Sequence, residues 1–187
     1  MPDPLEFHFY LGSPALNFAN TLGYRGSEPV ERLPAPRDLG RWIRAAGLGP
    51  PPIEPTPAEH RAALRLREAI YRIGHAFVHG QRPKRADVEE LNAVAAAHRP
   101  LPQLDPSRLK VTLASKAPVG AALAAVAEDA IRVFGSEERE RLGICEAATC
   151  HALVLGNARG PYRRWCSMAT CGNRAKVAAF RQRNADR

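Results

Sequence analysis

Cys145-Glu-Ala-Ala-Thr-Cys150 and Cys166-Ser-Met-Ala-Thr-Cys171 hold all four cysteines of the chain. Four residues separate the members of each pair, and fifteen separate the pairs. A tetrahedral metal site needs this arrangement: each pair offers two thiolates from one turn, and the loop folds back to bring the pairs together. The spacing predicts that Cys145, Cys150, Cys166 and Cys171 bind one Zn²⁺ per chain. Two disulfides are the competing reading, but they belong to oxidising compartments. Met1-Pro-Asp-Pro-Leu-Glu6 has neither the basic flank nor the apolar core of a secretory signal, so a cytoplasmic location is expected. Four thiolates also close the coordination sphere. No position is left for an activated water, and the zinc is expected to hold structure rather than do chemistry.

Moving outward from the cysteines, nine basic residues against two acidic ones from Arg141 onward account for seven of the eight net positive charges. Such asymmetry points to a polyanion for this end of the chain, with a merely solvated basic tail as the bland alternative. The residues after Cys171 suit a helix running to about Arg183. Val177 and Phe180 fall on one side of it, Arg174 and Arg181 along one edge of that stripe, and Lys176 and Arg183 along the other. The stripe is expected to pack on the zinc knuckles, with both basic edges outward. Arg163 and Arg164, just before the second knuckle, would add to the same surface. A module this short has little core of its own (Leu153, Val154, Leu155, Trp165, Val177, Phe180), so metal binding should supply much of its folding free energy.

The rest of the chain reads as helices. Leu39, Trp42, Ile43 and Ala46 recur at helical steps. The stretch 47–57 is too rich in proline for regular structure and is expected to link two helices. Thr56-Pro-Ala-Glu59 is a capping box with proline in the first helical position, opening a helix with Ala63, Leu66, Ile70, Ile73 and Phe77 inward. Further helices are expected from about Lys84 to His98 and from Gly120 to Phe134. Leu109, Val111 and Leu113 alternate as in a short strand. With no run of about 18 apolar residues, a membrane span is excluded. The expected fold is mainly α: a helical domain over 1–138, then a zinc module over 139–187 built of treble-clef- or ribbon-like knuckles and a helix.

Arg163-Arg164-Trp165-Cys166-Ser167-Met168 followed by Cys171-Gly172-Asn173-Arg174-Ala175-Lys176 closely resembles the CGNR zinc-finger family, over roughly residues 141–184. The resemblance implies a bacterial transcription regulator that binds DNA. Gly12-Ser-Pro-Ala-Leu-Asn-Phe-Ala-Asn-Thr21, Leu39 to Trp42 and Leu66-Arg-Glu-Ala-Ile70 resemble the ABATE domain, the family's usual N-terminal partner, which implies a role in a stress response. The chain departs from that pattern at Asn17, where an acid is expected.

Half of the twelve aromatic residues lie in the first 42 positions. With His8, Tyr10, Asn17, Asn20 and Arg25 among them, they fit either a ligand pocket with polar anchors or an ordinary aromatic core. A regulator that senses a small effector, alone or as a homodimer, would use the first. No nucleophile-and-base pair, phosphate loop or paired carboxylates argue for catalysis, so no enzymatic activity is expected. The competing function is an adaptor whose zinc module binds protein or RNA.

Overall fold

Ser13 is where the chain first turns helical: its Oγ accepts a hydrogen bond from the Leu16 amide, and Pro14 takes the first position of α1 (Pro14–Ala19). The computed structural model describes residues 6–49, 53–97, 101–114, 117–157 and 163–185. A short antiparallel hairpin, β1 (Leu22–Gly23) and β2 (Val30–Glu31), leads to α2 (Pro36–Ala45). Of the proline-rich linker, residues 50–52 lie outside the described residues, and Ile53 returns to the core. The expected capping box forms: Thr56 Oγ1 accepts from the Glu59 amide, and Glu59 Oε2 accepts from the Thr56 amide, opening α3 (Pro57–Val78).

After α4 (Arg85–Ala96) comes the hairpin of β3 (Leu101–Leu104) and β4 (Val111–Ala114). The helix closes at Ala96, and its expected end at His98 lies outside the described residues. Leu109 sits in the turn with φ 49°, so the alternating pattern becomes strand only from Val111. Next are α5 (Pro118–Phe134), a 3₁₀ turn (Glu137–Arg141), and a hairpin of β5 (Leu142–Ile144) and β6 (Leu153–Leu155). A π-helical turn (Met168–Gly172) then runs into α6 (Asn173–Ala185). The mainly helical class is what the chain adopts, with a four-cysteine cluster near its C-terminus.

One apolar cluster joins α1, α2, α3 and α5, and it does not stop at residue 138. Leu142, Leu153, Val154 and Leu155 are buried in it together with Leu16, Phe18, Leu66, Ile70, Val126 and Val133. Asn20 stitches the zinc-bearing hairpin to α1: its Nδ2 donates to Leu153 O at 2.9 Å, and its Oδ1 accepts from Leu153 N at 3.2 Å. A side-chain amide thus acts as a strand neighbour for β6, satisfying backbone groups that burial would otherwise leave unpaired. Leu155 N donates to Leu11 O at 2.8 Å. Gly12, at φ +105°, lies beside that bond, where a Cβ would come within 2.7 Å of Leu155 Cβ. No other residue type meets both conditions.

Candidate metal centre and basic helix

Cys145 extends β5 by one residue, its amide donating to Ala152 O at 2.8 Å. The chain then turns, with Cys150 N bonded to Ala147 O, and reverses into β6 through His151, whose φ of 52° is left-handed. Tyr71 on α3 secures that reversal by donating its hydroxyl to His151 O at 3.1 Å. The second knuckle is framed by Ser167, whose Oγ accepts from the Thr170 amide, and by the π-helical turn that carries Cys171. Glu146 N donates to Arg164 O at 2.9 Å and ties one knuckle to the other.

The four sulfur atoms lie within 4.8 Å of one another, and all four residues are buried. Cys150 and Cys166 Sγ are 3.6 Å apart, and Cys166 and Cys171 Sγ 3.5 Å. A Zn–S distance of about 2.3 Å in a tetrahedron requires S···S edges of roughly 3.8 Å, so the cage fits the ion. All four are free thiols, at separations no disulfide bond of about 2 Å would show, which removes the disulfide reading. Four thiolates this close cannot all ionise unaided. Hydrogen bonds from Cys150, Cys166 and Cys171 hold Cys145 far below the usual thiol range, while Cys145, Cys150 and Cys171 push Cys166 far above it. A divalent cation at the centre replaces the shared protons. The cluster is a structural zinc site, and zinc bound there supplies cross-linking of the two knuckles.

Arg32, which the sequence did not single out, is buried close by. Its Nε donates to Glu6 O at 2.9 Å, and its Nη1 is buried without a hydrogen-bond partner among the described residues. Burial lowers its pKa, while the charges of Tyr24, Tyr10 and Cys150 act the other way. A zinc ion with four thiolates carries a formal charge of about −2, so a buried guanidinium on this side offsets part of it.

The six candidate DNA-binding residues divide into two sets. Arg163 is a brace: its guanidinium donates to Trp165 O, to Cys166 O and, at 2.8 Å, to Tyr10 O. Arg164 pairs with Glu146 at 2.7 Å and lies over the Trp165 ring. Arg174 donates to the Tyr24 hydroxyl at 2.9 Å. Lys176, Arg181 and Arg183 are all exposed on α6, and none makes an ion pair among the described residues. Arg159, Asp186 and Arg187, part of the charge excess, lie outside the described residues. The apolar stripe of α6 departs from expectation. Val177 is 48% exposed and Phe180 57%, because α6 leaves the knuckle outward instead of folding back on it. Trp165 is only half-buried, so the supposed private core of the module divides between the body and solvent.

The five candidate pocket residues are not brought together. Tyr10 and Asn17 line a cavity between α1 and the second knuckle. His8 stacks on Tyr10 with ring centroids 5.1 Å apart, and burial lowers its pKa. Asn20 is committed to β6, as described above. Arg25 forms a two-pronged pair with Glu68, both bonds 2.9 Å, and lies 3.9 Å over the Tyr71 ring. Clustering in sequence therefore marked an aromatic and polar wall, of which only part faces a cavity. His75 and His79, four apart on α3, stack their rings at 4.1 Å rather than converging on a metal.

No helix among the described residues is long and apolar enough to cross a membrane. The ABATE family model, described as "Putative stress-induced transcription regulator", matches residues 12–137. The CGNR zinc-finger model matches residues 141–184. No curated protein matches the chain.

Proposed function

We propose, for a chain that belongs to the ABATE family and ends in a CGNR zinc finger, that it is a cytoplasmic transcription regulator whose α6 binds duplex DNA. The observation that carries this reading is the trio Lys176, Arg181 and Arg183, set on one projecting helix without carboxylate partners among the described residues. α6 packs chiefly on the π-helical turn from which it grows, so the helix is presented to solvent on a zinc-braced base. Guanidinium groups take phosphate oxygens two at a time, and a lysine adds a point charge. Arg163, Arg164 and Arg174 serve by position: they hold the knuckle and the root of α6 to the body. The reading assigns no catalysis to the zinc, whose four thiolates fill its coordination sphere.

Titrating the zinc-loaded protein with duplex DNA at several salt concentrations tests the proposal. Affinity is expected to fall steeply with salt, and the log–log slope should flatten by about 0.9 for every phosphate that is no longer neutralised. Replacing Lys176, Arg181 and Arg183 together by Ala should weaken binding and reduce that slope. DNA affinity indifferent to all three would sink the idea. In that event the exposed Val177 and Phe180 favour the adaptor reading, with a protein or RNA partner covering the apolar stripe.

A further inference from the structure

Between α1, the 3₁₀ turn, the end of β6 and the second knuckle lies a half-open cavity of about 530 Å³. Tyr10, Asn17, Arg132, Glu138, Arg141 and Arg163 contribute to its wall. Three guanidinium groups there face a single carboxylate, and that carboxylate is already divided: Glu138 pairs with Arg132 through one oxygen and with Arg141, at 3.2 Å, through the other. Arg132 has a second partner in Asp129 at 2.7 Å. Arg163, by contrast, bonds only to carbonyl oxygens, so no carboxylate among the described residues balances its charge. Asn17 uses its Oδ1 to accept from the Leu11 amide at 3.0 Å, which leaves its NH₂ group without an acceptor among the described residues. The wall is therefore rich in donors and positive charge. Phe9 and Leu155 add an apolar strip to it.

We propose that this cavity binds a small organic oxyanion with an apolar body, and that Arg163 conveys its occupancy to the second zinc knuckle. The anionic head meets Arg163, Arg141 and the Asn17 amide, where a charge-assisted bond is stronger than a neutral one. The apolar body lies against Phe9 and Leu155. Arg163 spans the two regions: one contact holds Tyr10 O on the N-terminal segment, and the others hold Trp165 O and Cys166 O on the knuckle. An anion that fixes this guanidinium fixes the turn bearing Cys166, and α6 starts at Asn173 just beyond it. Binding and its effect on the knuckle stand independently of the DNA reading.

Calorimetric titration of the full-length, zinc-loaded protein with benzoate and with phenyl phosphate tests the site. The two probes share an apolar ring and differ in the head, so whichever binds more tightly identifies a carboxylate or a phosphate as the recognised group. Asn17→Asp keeps the acceptor for Leu11 and places a negative charge in the wall, and should weaken the bound probe by about tenfold or more. Arg132→Gln, a half-exposed change away from the knuckle, should weaken it less. Absence of saturable binding by both probes, or undiminished binding to Asn17→Asp, overturns the site. For the coupling, the bound probe should slow zinc loss to a chelator severalfold in the wild-type protein. Zinc loss unchanged at saturating probe overturns the role of Arg163. Neither readout requires DNA, so a failed DNA titration leaves both results interpretable.

Discussion

The β5–β6 hairpin and α6 flank the same four cysteines, yet they meet opposite surroundings. Leu153 and Val154 are wholly buried against α1 and α3, whereas Val177 and Phe180 stand half-exposed to solvent. The first knuckle is a continuation of the body: Asn20 supplies it with strand-like hydrogen bonds, and Tyr71 holds its reversal. The second knuckle is held instead by a few polar contacts of Arg163, Arg164 and Arg174, and by the metal. Zinc therefore does not simply fold an autonomous module. It fastens a projecting basic helix onto a hairpin that the body already holds.

Removing the metal is the strongest way to break this comparison. Structural zinc contributes about 10–16 kcal/mol of apparent binding free energy in small fingers. Chelation, or Cys166→Ser, should release the second knuckle and α6 while α1 to α5 stay helical. Circular dichroism should then lose about the signal of the 13-residue α6. Collapse of the whole helical signal would mean that the body, too, depends on zinc.

A core truncation on each side of the metal sharpens the contrast. Leu153→Ala should cost about 2–5 kcal/mol in urea unfolding, as expected for a buried leucine whose cavity cannot refill. Phe180→Ala, on the exposed stripe, should stay within about 0.5 kcal/mol. Equal losses would show that α6 is packed as firmly as β6.

The smallest effect concerns two ion pairs. Burial by itself would raise the Glu68 pKa, but the hydrogen bonds and charge of Arg25, with Arg67, outweigh it and hold the carboxyl below its ordinary value. A depressed carboxylate stabilises the fold above its unfolded pKa and loses that contribution as pH falls through the folded value. Glu68→Gln should thus flatten the acid side of the stability profile. Glu146→Gln, which removes the exposed pair with Arg164, should change the stability at about pH 7 by no more than about 0.5 kcal/mol. Urea midpoints from about pH 7 down to about pH 3 would compare them.

Helix positions were legible wherever the signal was local. Thr56 and Glu59 close their capping box within one turn, and the apolar steps along α3 and α5 match the faces they bury. The cavity was legible only in part. Tyr10 and Asn17 lie in the aromatic N-terminal segment, but Arg132, Glu138 and Arg141 are more than a hundred residues away and carry no motif. Arg32 was equally hidden, since a lone arginine between a strand and a loop shows its burial only once the fold closes over it.

From sequence alone came the zinc ligands, the mainly helical class and the concentration of positive charge near the C-terminus. These rest on short-range spacing: two cysteines on one turn, apolar residues every three or four positions, charges counted along a segment. Tertiary structure decided which basic residues brace the knuckle and which face solvent, where the core ends, and that Val177 and Phe180 stay uncovered. Those outcomes depend on what lies across the gap from each side chain. β5 and β6 pack into the apolar cluster of the body, whereas α6 makes its contacts chiefly with the π-helical turn from which it grows.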